Sequence, residues 1–134
     1  MVIDKASANE KLIREGYGAF KTGDLQAVQA MFRDDVTWYA GRAGQLSGEH
    51  AGWPAVQDFF IKTMELSDWS FAIEVLDVLA GDTRAAVYVR QTARRGDLVL
   101  DDRQVHLFEI DADGKVAHVH QYVGDFEATS RFWE

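Results

Sequence analysis

Residues 84–122 read RAAVYVRQTARRGDLVLDDRQVHLFEIDADGKVAHVHQY. Their apolar and polar side chains alternate, broken only at Gly96-Asp97 and Asp111-Ala112-Asp113-Gly114, which describes three strands joined by two tight turns. Gly96-Asp97 puts glycine first in a two-residue link, as a type II′ hairpin requires, and Gly81-Asp82 repeats the signal one strand earlier. With the segment that starts at Trp69, the second half of the chain is a four-strand meander. The first half is helical. Ser7 and Glu10 have capping-box spacing, and Leu12, Ile13, Gly16, Tyr17 and Phe20 recur at helical intervals up to Gly23. Asp24 caps a second helix with Leu25, Val28, Met31 and Phe32 as its stripe. Val36 to Ala40 reads as a strand, and Gly41 to Gly52 as a loop or short hairpin. Pro54 opens a third helix carrying Val56, Phe59, Phe60, Thr63 and Met64. Three helices and a meander make an α+β domain, with the helices over one face of a curved antiparallel sheet.

The 134 residues are the size of one domain, 1–134, and 47% apolar content is enough for a real core. Lysine and arginine number 14 against 22 acidic residues, a net charge of −8, which repels phosphate backbones and anionic bilayers. No nucleic-acid or membrane partner is expected. Cysteine is absent, which excludes disulfides and thiolate chemistry and fits the cytoplasm. The opening MVIDKASANEK has no apolar leader core, and no apolar run approaches the roughly 18 residues of a membrane span. Neither a GxGxxG nor a Walker-type loop is present, so no cofactor is expected.

If Gly96-Asp97 is a two-residue turn, Arg95 pairs with Leu98, and the ladder sets Gln91 opposite Asp102, Val89 opposite Gln104 and Val87 opposite His106. These residues share one face with Phe108 and Ile110. Tyr88, Arg90, Thr92, Arg94, Asp101, Arg103 and Glu109 share the other. The helix-covered face therefore carries His106, Gln104, Asp102 and Gln91 among apolar neighbours. His106 is the candidate catalytic residue, because an unperturbed imidazole titrates at about 6.5; a neutral histidine satisfied by Gln104 is the plainer alternative. Asp102 lies four strand positions from His106, roughly 13 Å, too far for a direct bond. Tyr17, Phe20, Trp53, Phe59 and Phe60 are available as an aromatic wall, although ordinary core packing accounts for the phenylalanines equally well.

The stretches GDLQAVQAMFRDDVTWYA, GWPAVQDFF and HLFEIDADGKVAHVHQY, taken in order, resemble the SnoaL-like domains of the nuclear-transport-factor-2-like superfamily. The resemblance spans nearly the whole chain. It implies a cystatin-like cone with a pocket between sheet and helices, often in a homodimer, and it turns Trp38 and Ala40 inward. It does not imply one activity. Laid on ketosteroid isomerase by the GDL and GKV landmarks, the tyrosine position falls on Gly16, the base on Ala40 and the oxyanion aspartate on His106. All three groups of that enzyme, a worked example among pKa-tuned sites, are missing. Tyr17 is one residue away, about 100° around the helix. SnoaL-like cyclases place a histidine where His106 stands and an acid where Gln121 stands, so half of that pair is present. Epoxide hydrolases of the limonene type are matched only by Asp101 and Arg103, in reversed order and on the wrong face.

His118 and His120 project from one strand face, and two registers of the last strand are open. A bulged turn pairing Asp111 with Lys115 sets His120 opposite His106; the resemblance instead turns Val119, Gln121 and Val123 inward. The second leaves no metal site, and none is expected. Two functions follow. One is a cofactor-independent lyase, isomerase, cyclase or hydrolase acting on a small hydrophobic or aromatic compound, with His106 moving the proton. Tyr17, Trp38, Trp53, Phe60, Gln91, Asp102, Gln104, Phe108 and Gln121 would bind the ligand. The other is a non-catalytic ligand-binding or dimerisation module. In both, Val105 and Leu107 beside Tyr88 point to a homodimer through the outer sheet face.

Overall fold

The computed structural model describes residues 4–134; Met1 to Ile3 of the opening segment lie outside the described residues. The helices are α1 (Lys5–Thr22), α2 (Leu25–Ala30), α3 (Trp53–Leu66) and α4 (Phe126–Phe132). The strands are β1 (Phe32–Gly41), β2 (Gly48–Ala51), β3 (Ala72–Ala80), β4 (Arg84–Arg95), β5 (Leu98–Ile110) and β6 (Val116–Tyr122). They form one six-stranded sheet in the order β2-β1-β6-β5-β4-β3. The α+β class holds, with a fourth helix and a second early strand added to the expectation. No described helix is long and apolar enough to cross a membrane.

The helix signals operate with small displacements. Asp4, not Ser7, caps α1, accepting from the Ala6 N–H, because Ser7 already lies inside the first turn and spends its hydroxyl on Asp4. Gly23 ends α1 in the left-handed region at φ 77°, and Asp24 caps α2 through the Ala27 N–H. The second helix stops at Ala30, so Phe32 opens β1 instead of closing α2. Strand pairing with β6 explains the longer β1. That pairing is parallel, so the sheet is mixed and not purely antiparallel. No hairpin joins β1 to β6, and the register Ala40↔Gln121 is therefore free to run in the same direction.

One of the three turn readings needs correction. At Gly96 the φ is 61° and Arg95 pairs with Leu98, as the two-residue link requires. Gly81 has no positive φ; its N–H donates to the Arg84 carbonyl at 2.7 Å, so the turn centres on Asp82-Thr83. Asn9 of α1 donates to the carbonyls of Gly81 and Asp82 and ties this turn to the helix. The third turn resolves the two open registers. Asp111 does pair with Lys115 and Gly114 takes φ 78°, but Ile110 faces Val116 while Glu109 faces His118. Ala117 is thus an extra residue, a bulge that steps the strand by one and sets Gln121, not His120, opposite His106. Val119 and Gln121 are buried, whereas His118 bonds the Thr37 hydroxyl and His120 stacks on Tyr122 on the outer face.

Helix α1 packs on β3 and β4, α3 on β1 and β2, and α4 on β5. The main core fills the space beneath α1 and α3. A second cluster of Phe71, Ala93, Leu100, Phe132 and Trp133 sits where α4 meets the sheet. The chain reaches α4 through Gly124, where a Cβ would stand 2.3 Å from the Arg103 carbonyl oxygen and 2.8 Å from Asp102 Oδ1. Gly124→Ala is therefore expected to lower unfolding free energy by about 2 kcal/mol, the usual cost of overpacking against atoms that cannot yield. Urea denaturation of the two proteins side by side checks it.

Candidate functional site

Alternation along β4, β5, β6 and β1 turns Gln91, Asp102, Gln104, His106, Phe108, Gln121 and Trp38 to the interior, each of them 6% exposed or less. Polar side chains so deep must be bonded to one another. Asp102 begins the chain. Its two oxygens accept from the Gly124 N–H at 3.1 Å, the Asp125 N–H at 3.0 Å, the Thr129 hydroxyl at 3.1 Å and the Gln104 amide Nε2 at 3.1 Å. A carboxylate fed by two backbone N–H groups takes the NH₂ end of Gln104, so Gln104 Oε1 points the other way. That oxygen accepts from Gln121 Nε2 at 2.8 Å and from His106 Nε2 at 3.2 Å.

The same logic fixes the imidazole. With its Nε2 donating to Gln104, neutral His106 has a lone pair on Nδ1, which lies 2.7 Å from the Tyr17 hydroxyl. Tyr17 therefore donates into His106. Gln121, having given its NH₂ to Gln104, accepts from Trp38 Nε1 at 3.2 Å through its own oxygen. These six side chains make one directed network running from Asp102 to Tyr17, with a branch through Gln121 to Trp38. Burial lowers the His106 pKa to about 3 and raises that of the Tyr17 hydroxyl well above its ordinary value, so both stay neutral.

Beside the network lies a cavity of about 60 Å³, room for a few waters or one ring-sized group before any wall moves. Tyr17, Trp38, Phe60, Phe108, His106, Gln91 and Gln121 all line it. Trp38 stands edge-on both to Phe60 at 5.2 Å and to His106 at 5.6 Å. Three expected residues are elsewhere. Trp53 stacks on Phe32 in the core behind the wall, since it starts α3 at the far side of Phe60. Asp102 and Gln104 lie behind His106, their polar atoms spent on α4 and on the ring. The helical rotation separating Gly16 from Tyr17 does not exclude Tyr17: both line the cavity, Gly16 letting α1 approach Met31 so closely that a Cβ would be 2.2 Å from its Sδ.

Arg42 and Trp133 also line the cavity and were missed from the sequence. The signal for Arg42 was present, because it continues the inward alternation of Trp38 and Ala40 on β1. Trp133 follows a helix that carried no strong pattern. Arg42 is 5% exposed and its guanidinium lies over the Trp133 ring at 4.7 Å. Burial lowers its pKa to about 10, which leaves it charged at neutral pH.

A curved sheet wrapped around an interior cavity and closed by helices defines the cone-shaped, nuclear-transport-factor-2-like proteins. Within that class the chain belongs to the SnoaL-like domain family, which matches residues 13–119. An uncharacterised protein of Mycobacterium tuberculosis is 28% identical over 127 residues, covering 94% of this chain and 96% of its own. Among solved structures, Bal32a from a soil-derived mobile gene cassette superposes with a TM-score of 0.93 at 28% identity, covering 98% of this chain and all of that one. A nuclear-transport-factor-2-like protein of Burkholderia xenovorans shares the fold at a TM-score of 0.82 and 21% identity, with 96% and 98% covered.

The network generates a test. In the unfolded chain a histidine takes a proton near pH 6.5, and in the folded chain His106 refuses it down to about pH 3. Below pH 6.5 the unfolded state therefore binds more protons, and stability falls with pH at up to about 1.4 kcal/mol per unit from this residue alone. Above pH 6.5 its contribution is flat. His106→Gln is expected to remove that slope between pH 6 and 4 in urea titrations. Nitrogen NMR of the wild type is expected to show an Nε2–H imidazole with no titration between pH 5 and 8; a midpoint near 6.5 contradicts the network.

Proposed function

We propose that the protein binds a small, planar, largely apolar molecule in the cavity, and that it holds that molecule without exchanging protons with it. One observation carries the reading: both His106 nitrogens are engaged inside the protein, and no Asp or Glu is among the described residues lining the cavity. Stacking surfaces are supplied by Trp38, Phe60 and Phe108, and polar anchors by Tyr17, Gln91 and Gln121. Such a lining, apolar with a few placed amides and a hydroxyl, suits an aromatic ligand. Tyr17 donates its proton to His106, so it meets a ligand as an acceptor. Binding of 2-naphthol, followed by quenching of tryptophan fluorescence, is expected in the micromolar range. Tyr17→Phe is expected to weaken it about threefold to tenfold through the lost hydrogen bond. No saturable quenching by any one- or two-ring compound defeats the proposal.

The 2.7 Å contact between Tyr17 and His106 favours a second reading, a cofactor-independent lyase, isomerase or hydrolase in which Tyr17 relays a ligand proton to Nδ1. A ring that protonates only near pH 3 is a weak base for that relay. Turnover of enolisable ketones, epoxides or polyketide-like esters by wild type but not by His106→Ala would establish it, and equal rates remove it.

The outer sheet face supports a homodimer. Tyr39, His120, Tyr122, Val105 and Tyr88 form a half-exposed stripe across β1, β6, β5 and β4, continuous through the Tyr39–His120 and His120–Tyr122 ring contacts. Arg90 takes its acid from its own chain, bidentate to Asp101 at 2.9 and 2.7 Å. Light scattering at micromolar concentration is expected to give a dimer mass, and Leu107→Glu or Val105→Asp a monomer. A monomeric wild type refutes this assignment.

A further inference from the structure

Arg42 is the described residue whose chemistry the fold leaves least complete. It directly follows the last residue of β1, with Nη1 donating to the carbonyls of Gln45 at 2.6 Å and Ala43 at 3.3 Å. Nε is the one buried side-chain nitrogen or oxygen without a partner among the described residues, and Nη2 has no protein acceptor there either. The chain carries 22 acidic residues, yet none forms an ion pair with Arg42. A guanidinium withdrawn from water without a counter-charge is costly, and a protein this acidic has no shortage of carboxylates to supply one. Surface partners are plentiful for Arg33 and Arg90, so the isolation of Arg42 is local to the cavity wall.

A second donor lines the same cavity. Gln91 is 3% exposed, lines the same cavity, and has no side-chain hydrogen bond among the described residues, unlike Gln104 and Gln121. The cavity lining thus combines two kinds of group: Phe32 and Phe108 are apolar, and Arg42, over Trp133, is cationic. A neutral hydrocarbon would leave both Arg42 and Gln91 without acceptors. A ring bearing a carboxylate would satisfy them and would keep its ring against Trp38 and Phe60.

We infer that the pocket takes a small aromatic anion, with a carboxylate as the simplest case, whose charged group is held by the Arg42 guanidinium and assisted by the Gln91 amide. The inference rests on the binding function proposed above and names its ligand class. It also gives Arg42 a role beyond fastening the 43–45 loop, which Ala43 and Gln45 already help to secure through Ser130 Oγ and the Trp133 carbonyl.

Calorimetry at pH 7 with two matched pairs tests it: 2-naphthoate against 2-naphthamide, and phenylacetate against phenylacetamide. In the wild type each carboxylate is expected to bind at least about tenfold more tightly than its amide, the scale of one hydrogen bond to a charged group. Arg42→Met is expected to bring the members of each pair within about twofold, and Arg42→Lys to keep part of the preference. Should Arg42→Met fail to fold, the wild-type pairs and Arg42→Lys still decide. An amide that binds the wild type as tightly as its carboxylate overturns the anion assignment while leaving the binding function standing. So does a folded Arg42→Met that keeps the preference. If no member of either pair binds, the binding function falls and this inference falls with it.

Discussion

Asp102 accepts two backbone N–H groups from the Gly124-Asp125 segment, the Thr129 hydroxyl of α4 and the Gln104 amide, and the interior takes its polarity from that arrangement. A buried carboxylate survives only where donors surround it. Here three of the four come from the start of α4 and the turn before it, so the carboxylate and the C-terminal helix hold each other in place. The fourth orients Gln104, Gln104 orients His106 and Gln121, and His106 orients Tyr17. From the other side the Trp38 indole N–H fixes the Gln121 amide, which points the Gln104 oxygen the same way.

That directed chain engages both nitrogens of His106 inside the protein. A general base needs a lone pair aimed at the ligand and a conjugate acid that is accessible near neutral pH. The His106 lone pair is aimed at Tyr17, and its surroundings contain no carboxylate close enough to share a positive charge. Gln121 serves as a bridge between Gln104 and Trp38. The interior of this SnoaL-like fold thus joins His106 to two amides and an indole by fixed hydrogen bonds.

Charge enters the cavity from another element. Arg42 reaches it at the end of β1, over the indole of Trp133, where the second core cluster meets the first. The aromatic wall and the guanidinium therefore come from opposite ends of the chain, β1 and the residue after α4. Their juxtaposition depends on the same Asp102 contacts that seat the helix. A site of this kind depends on the docking of α4 and not on any local motif.

Local chemistry was enough to read much of this protein. Glycine at 96 has to adopt a positive φ, and the β4–β5 register from Arg95↔Leu98 to Arg84↔Glu109 follows from that turn by strict alternation, which is why His106, Gln104, Gln91 and Phe108 were placed inward from the residues alone. What alternation cannot see is an inserted residue. Ala117 resembles any other strand residue, and only the competition between the Asp111–Lys115 turn and the burial of Val119 and Gln121 makes it a bulge. The parallel β1–β6 pairing, the seat of α4 on Asp102, the direction of the hydrogen bonds from Gln104 to Tyr17, and the isolation of Arg42 were likewise decided in three dimensions. Each joins residues far apart in the chain, and sequence spacing carries no information on which distant donor a buried acceptor will meet, or on whether a buried cation will meet any acceptor at all.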